Sequence, residues 1–153
     1  MAQLQDSLKM IQALQRWADG KGTLKEVRDY ADEELYALAR MGFYFFYQGK
    51  VAEARTLFQG LFAVNPRDAY FARSLAVVEY AAGNAEGSLS AYDVAIKLAP
   101  DDAAGYLGRA EIFLALGRKE MAAEDLKRAA WSPGGDERLR AKATALMNSQ
   151  RRR

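Results

Sequence analysis

Apolar and small residues recur at spacings of three and four through the middle of this chain, and the whole pattern repeats every 34 residues. Such spacings place side chains on one face of a helix, so the stretch 33–131 predicts six amphipathic helices. Gly49, Gly83 and Gly117 occupy one slot in successive copies. They are expected to end the first helix of each pair, where a left-handed residue costs little only for glycine. The predicted helices are 33–47, 51–63, 68–81, 85–97, 102–115 and 119–130.

Four further columns keep the 34-residue interval. They are Gly42, Ala76 and Ala110; Ala54, Ser88 and Ala122; Phe58, Tyr92 and Leu126; and Pro66 and Pro100, with Gly134 in the third slot. This order of small, aromatic and proline positions at this period is the signature of tetratricopeptide repeats, in which each copy is a helical hairpin. The predicted fold class is therefore all-α, with three tetratricopeptide hairpins in a superhelix.

Two more amphipathic helices flank the repeats. The first, from about residue 3 to residue 19, has its apolar stripe at Leu4, Leu8, Ile11, Leu14 and Trp17. That stripe needs a surface to cover it, and a symmetric dimer is the commonest solution, although the chain's own repeats would also serve. The predicted organisation is an N-terminal helical region at 1–32 that joins a homodimer, repeats at 33–131, a capping helix at 136–149 and a basic tail at 150–153.

Composition narrows the possible functions. The chain contains no cysteine and no histidine, which removes thiolate nucleophiles, histidine bases and most transition-metal sites. No catalytic pair or phosphate-cradling loop is readable. We therefore expect no enzyme, no metal and no cofactor. We expect no signal peptide, because the N-terminus lacks a basic region followed by a long apolar one, and no membrane insertion, because no run of about 18 apolar residues exists.

The charge is uneven along the chain. Eight basic residues lie from 127 to 153 against Asp136 and Glu137, although the net charge of the whole chain is only +2. A solvated last helix with a basic tail accounts for this. A nucleic-acid contact is the alternative, but only Trp131 interleaves an aromatic ring with those charges, so no nucleic-acid partner is expected.

The first helix of each hairpin lines the concave side of stacked repeats. In the first repeat Leu38, Met41, Gly42 and Phe45 are assigned to the core, which leaves a stripe that includes Ala39 for a groove. The predicted peptide-binding residues are Tyr36, Phe43, Phe46, Tyr47, Tyr70, Arg73, Val77, Tyr80, Leu107, Glu111 and Leu114. A helix that is hydrophobic nearly all round must be buried on both sides or meet a partner. Either the N-terminal helix covers the surplus rings, or they form a groove for an apolar peptide.

Two charged residues stand at core columns of the repeat. Glu79 replaces the ring of Phe45 and Phe113, and Arg109 replaces Met41 and Leu75. Two interpretations remain open from the sequence, which are an ion pair between Arg109 and Glu79 across neighbouring repeats, or exposure of both side chains to solvent.

The chain resembles the class II chaperones of type III secretion over about residues 20 to 135. The matching residues are Gly22-Thr23-Leu24, Leu35-Tyr36-Ala37-Leu38-Ala39, Gly49-Lys50-Val51-x-x-Ala54, Phe58-Gln59-x-Leu61 and Ala110-Glu111. The resemblance implies a non-enzymatic homodimer in the bacterial cytoplasm. Its groove would hold an extended apolar segment of a translocator protein and keep that client soluble before export. A generic tetratricopeptide scaffold in another bacterial assembly is the alternative.

Within the resemblance, individual positions agree or depart. Phe43 and Phe46 match aromatic residues that the family uses in its groove. Ala39 stands where a tyrosine is usual, which changes the shape of one expected pocket, and Ile112 stands where cysteine is common.

Overall fold

The computed structural model describes residues 2–152, without the side chains of Ala2 and Leu4, and this part of the chain is helical with no strand. The helices are α1 Ala2–Ala18, α2 Leu24–Arg28, α3 Asp32–Tyr47, α4 Val51–Val64, α5 Ala69–Ala81, α6 Ala85–Leu98, α7 Ala103–Ala115, α8 Lys119–Trp131 and α9 Glu137–Arg151. The all-α prediction is confirmed, and each of the six repeat helices begins and ends within one residue of its predicted bounds. No described helix is long and apolar enough to cross a membrane.

The glycine column ends the first helix of each hairpin as predicted. Gly49, Gly83 and Gly117 have φ values of 75°, 83° and 72°. After Gly49, the Lys50 N–H donates to the Phe45 carbonyl at 2.9 Å, which satisfies an end carbonyl of α3. A side chain with a Cβ would strain this backbone, so the repeat requires glycine there.

Contacts divide the chain into two compact units, Met1–Arg67 with α1 to α4 and Asp68–Arg153 with α5 to α9. In the first unit α3 packs on α4, and α1 and α2 pack together. Gly42 is small because a Cβ at this position would lie only 2.8 Å from the ring of Phe58, which is fully buried. The close approach of α3 and α4 therefore depends on this glycine.

The core prediction for the first repeat was partly wrong. The buried residues of α3 are Leu35, Ala39 and Gly42. Leu38 and Met41 are 43% and 49% exposed, and Phe45 is half-buried. In a middle repeat these columns are covered by the preceding hairpin, and nothing within the first unit takes that place.

In the second unit α5 to α9 pack successively, each against the next along the chain. Two apolar clusters fill it, one around Tyr92, Ile112 and Phe113 and one around Tyr106, Leu107 and Leu126. The last helix completes the second cluster, because Ala143 is fully buried and Leu139, Leu146 and Met147 pack against it. α9 therefore covers the outer side of the last hairpin.

Candidate functional site: two faces of the first helices

In the first unit the predicted groove residues of α3 are all aromatic, and they are called here the aromatic face. It consists of Tyr36, Phe43, Phe46 and Tyr47. The ring of Tyr47 lies 5.6 Å from that of Phe46 and 6.4 Å from that of Phe43, centroid to centroid. Phe43 in turn packs edge-on against the buried Phe58 at 4.9 Å. This packing fixes the orientation of the rings, so that the face is largely formed before any partner arrives.

The surplus rings of α3 are open. Tyr47 is 77% exposed, and Tyr36 and Tyr44 are also exposed. The first alternative from the sequence, in which the N-terminal helix covers the surplus aromatics, is therefore wrong for these three side chains. Several exposed tyrosines on one helix mark an interaction surface more than a stability feature, because rigid rings lose little entropy when a ligand orders them.

In the second unit the groove residues lie on α5 and α7, and this surface is called the mixed face. Tyr70, Arg73, Val77, Glu111 and Leu114 are half-buried, and Tyr80 is 40% exposed. Leu107 is an exception: it is only 3% exposed and belongs to the core between α7 and α8. The prediction that Leu107 forms groove floor was wrong, as was the placement of Ala39 on the open stripe, since Ala39 is fully buried.

The charges of the mixed face are matched within the unit. Arg73 Nε lies 3.2 Å from the Asp102 carboxylate, and the Arg73 guanidinium stands 6.0 Å from the centre of the Tyr70 ring. The buried Nε–H is not aligned with that carboxylate and has no other acceptor. Glu111 pairs with Lys142 of α9 at 2.6 Å. A ligand on this face therefore meets little net charge.

A buried phenol lies between these charges. Tyr92 of α6 is 5% exposed, and a Cβ at Gly108 of α7 would lie only 2.4 Å from its hydroxyl oxygen. Burial raises the pKa of Tyr92 to about 12; the charge of Glu111 also raises it and that of Arg73 lowers it. The hydroxyl thus stays protonated, and the charges of both groove residues act on it. Sequence reasoning placed Tyr92 only in the repeat's packing column.

The predicted pairing of Arg109 with Glu79 was wrong, and so was the alternative of solvent exposure for Glu79. Arg109 donates to both oxygens of Asp125 at 2.7 and 2.8 Å and to Asp93 at 2.6 Å. These carboxylates raise the pKa of Arg109 above its usual range, with the Asp125 hydrogen bonds as the largest cause. Glu79 is buried and accepts from the Asn84 side chain at 2.7 Å. Arg109 therefore joins α6, α7 and α8 of the second unit.

The first unit also carries an apolar cleft of about 530 Å³ that the sequence did not reveal. Its walls come from α3 and α4 and include Leu38, Met41, Leu57, Leu61 and Val64. Leu38 and Met41 were assigned to the core from their repeat columns. The sequence could have indicated their exposure, because no repeat hairpin precedes the first one to cover these columns.

The N-terminal stripe is open as well. Leu8, Ile11, Leu14 and Trp17 are 52%, 60%, 42% and 47% exposed. The side chain of Leu4 lies outside the described residues. Nothing in the first unit covers the four described members, which leaves the predicted dimer contact as a proposal.

Among the residues that the structure describes, no group of three or more histidine, cysteine, aspartate or glutamate side chains could hold a metal ion. On the mixed face, Asp102 and Glu111 are instead engaged in ion pairs with Arg73 and Lys142. The arrangement offers shape, aromatic surface and a few fixed polar groups, which are the elements of a binding site.

Comparison with known proteins agrees with this geometry. A tetratricopeptide repeat family model matches residues 36–103 and 82–136. Protein FlbA of Caulobacter vibrioides is 35% identical over 100 residues, which make up 63% of this chain and 17% of FlbA. The chain thus spans only about a sixth of the length of that curated relative.

Two solved chaperones share the fold. The type III secretion translocator chaperone SycD of Yersinia enterocolitica superposes with a TM-score of 0.78 and 19% identity, covering 84% of this chain and 98% of SycD. PcrH, known from Pseudomonas aeruginosa, was solved with the chaperone binding region of PopB. That PcrH structure matches with a TM-score of 0.70 and 25% identity, over 76% of this chain and 97% of PcrH.

Proposed function

Because this chain belongs to the tetratricopeptide repeat family, we propose that it is a non-enzymatic chaperone for an extended, apolar segment of another protein. The observation that carries the proposal is the set of exposed and half-buried rings on α3 of the first unit; α5 of the second unit has a comparable surface at Tyr70, Val77 and Tyr80. A folded protein gains nothing by leaving such rings in water, and a partner that covers them gains a large apolar contact.

The chemistry of the two faces favours an apolar client. A groove built to hold a carboxylate terminus would present unpaired lysine or arginine side chains. Arg73 is the one basic residue among the predicted contacts, and it already lies beside Asp102. Val77, Leu114 and the rings of Tyr70 and Tyr80 make up most of the mixed face. Such a surface suits alternating apolar side chains of an extended peptide.

The known complexes of relatives indicate which client to expect. PcrH binds the chaperone binding region of PopB, and another SycD structure was solved with a peptide of the translocator YopD. We propose that this chain likewise keeps a hydrophobic translocator-like secreted protein soluble in the bacterial cytoplasm before its export. We further propose that two copies pair through the α1 stripe.

The test uses binding by the full chain. A displayed library of random 15-residue peptides, together with the PopB chaperone binding region, is screened against the wild-type protein, and the best ligand is titrated by calorimetry. Tyr47→Ala and Tyr80→Ala are each expected to weaken binding by about 1–3 kcal/mol, because each removes an anchoring ring. Their melting temperatures should change little, since both rings are exposed.

Trp131→Ala is the matched control. Trp131 is also a large exposed ring, 83% exposed at the end of α8, but it belongs to neither face. The Trp131→Ala variant should bind the selected peptide as tightly as the wild type does. A wild-type protein that selects no peptide would refute the chaperone function. Equal losses in all three variants would refute the assignment to these faces.

A further inference from the structure

In the repeat column shared by Phe58, Tyr92 and Leu126, the tyrosine carries a hydroxyl group that packing does not require. Phe58 and Tyr92 occupy equivalent slots in the first and second repeats. Phe58 is fully buried and fills its slot with a bare ring. Tyr92 fills the equivalent slot with a ring that is just as enclosed, and no described side chain or backbone group forms a hydrogen bond with its hydroxyl. A phenylalanine would fill the slot equally well, so the hydroxyl is free to act as a hydrogen-bond donor to a partner from outside the chain.

The hydroxyl lies against α7, one of the two helices of the mixed face. Gly108 makes room for it, because any side chain there would meet the oxygen at 2.4 Å. Glu111 and Arg73, both predicted groove residues, are the two charges that act on this phenol. The ring is enclosed, but the oxygen is not a fully buried unpaired atom, so it keeps some contact with solvent beside α7.

We propose that the Tyr92 hydroxyl donates a hydrogen bond to a main-chain carbonyl oxygen of the extended segment bound over α5 and α7. This inference rests on the proposed function and adds a fixed polar anchor to a site otherwise built from apolar contacts. An extended peptide presents a carbonyl at every residue. The anchor would therefore hold the client's backbone without demanding a particular side chain.

The surrounding charges favour a neutral acceptor. Asp102 and Glu111 already lie beside Arg73 and Lys142, so neither carboxylate requires a charged group from the client. A client ammonium would compete with Arg73 and Lys142 for carboxylates that are already paired. A phenol donating to an amide carbonyl disturbs neither ion pair. The same hydrogen bond gives the hydroxyl an acceptor from the client in place of solvent.

The first experiment compares Tyr92→Phe with Tyr106→Phe in the full chain, using the peptide selected on the wild type. Tyr106 is also a buried tyrosine of the second unit, but it lines a different cavity together with Asp93 and Arg109. Tyr92→Phe should weaken peptide binding by about 5- to 20-fold, the loss typical of one buried hydrogen bond. Its melting temperature should stay the same or rise, and Tyr106→Phe should bind as the wild type does.

A second measurement identifies the acceptor. Each amide of the peptide is replaced in turn by an (E)-alkene, which keeps the shape and removes the carbonyl. One replacement should weaken binding to the wild type and leave the peptide affinity of Tyr92→Phe almost unchanged. A direct hydrogen bond produces this kind of coupling. If Tyr92→Phe binds as tightly as the wild type, or every alkene affects both proteins equally, the anchor is refuted while the groove stands. Failure of the wild type to bind any peptide refutes the proposed function itself.

Discussion

The two terminal helices, α1 and α9, have the same kind of apolar stripe but very different surroundings. In α9 the side chain of Ala143 is fully buried, and Leu146 and Met147 pack against the core of the last hairpin. In α1 the equivalent apolar side chains, such as Ile11 and Trp17, stay about half exposed. The pattern of each helix shows that it has a face to cover. Only the neighbouring structure shows whether the chain itself covers it.

This difference separates folding from association. α9 finishes the second unit, so its apolar residues contribute to the free energy of unfolding of a single chain. α1 contributes little to its own unit and keeps its stripe available for a second copy. The open cleft beside Leu38 and Met41 adds to the apolar surface of the first unit. The unit that carries the aromatic face is thus also the one that we expect to self-associate.

Removal of α9 should have the largest effect. Deleting residues 136–153 uncovers Tyr106, Leu126 and Ala129 and loses the burial of Leu139, Leu146 and Met147. We expect a loss of roughly 3–5 kcal/mol in the free energy of unfolding, from the burial of three half-covered large side chains and their contacts. Urea denaturation followed by circular dichroism measures it. Deletion of residues 2–19, assayed at a concentration where the chain is monomeric, serves as the control and should cost far less. Equal losses would show that α1 is part of the same core.

The second-largest effect is expected from a charge in the α1 stripe, which should weaken the proposed dimer. Ile11→Asp places a carboxylate in the middle of an apolar contact. We expect the free energy of dimerisation to weaken by about 2–3 kcal/mol, which raises the dimer dissociation constant about 30- to 150-fold. Sedimentation velocity over a concentration series measures the change, and Lys9→Gln, which lowers the charge of the same helix by the same one unit, is the control for charge alone. A wild-type chain that remains monomeric at every accessible concentration would contradict the dimer proposal.

Single truncations sharpen the comparison with smaller effects. Leu146→Ala on α9 should lower the free energy of unfolding by about 1–2 kcal/mol, since its side chain is half-buried against the last hairpin. Leu8→Ala on α1 removes the same atoms from an exposed side chain and should lie within about 0.5 kcal/mol of the wild type in the monomer. Thermal and urea unfolding of both variants give the values. If Leu8→Ala lowered the free energy of unfolding more than Leu146→Ala, then α1 rather than α9 would stabilise the single chain.

The fold was predictable because its signals are local. Gly49 and Pro66 mark helix ends, and the recurring small and aromatic columns place each hairpin, so the repeat helices were located within one residue. Burial was harder to predict, because it depends on what lies beside each repeat. Leu38 and Met41 occupy core columns but have no preceding hairpin to cover them. Leu107 lies on the expected groove stripe but is covered within its own unit.

Polar partners were the least predictable part of the site. The sequence pattern drew attention to Glu79 as a mate for Arg109, since both stand in apolar columns. Asp93 and Asp125 each lie 16 residues from Arg109 on the neighbouring helices α6 and α8, and they form its hydrogen bonds instead. Choosing among several acidic residues requires distances that periodicity alone does not provide. The proposed role of the Tyr92 hydroxyl was also missed, because an aromatic ring alone accounts for a tyrosine in that repeat column.

The most direct test of the central claim maps the bound peptide onto the chain. Nuclear magnetic resonance shifts are recorded for backbone amides and aromatic rings while the selected peptide is titrated into the full-length protein. The account predicts the largest changes at Tyr47 on the aromatic face and at Val77, Tyr80 and Leu114 on the mixed face, with Trp131 unaffected. Changes confined to the α1 stripe or to the cleft beside Leu38 and Met41 would contradict it, because the peptide would then bind outside the two proposed faces.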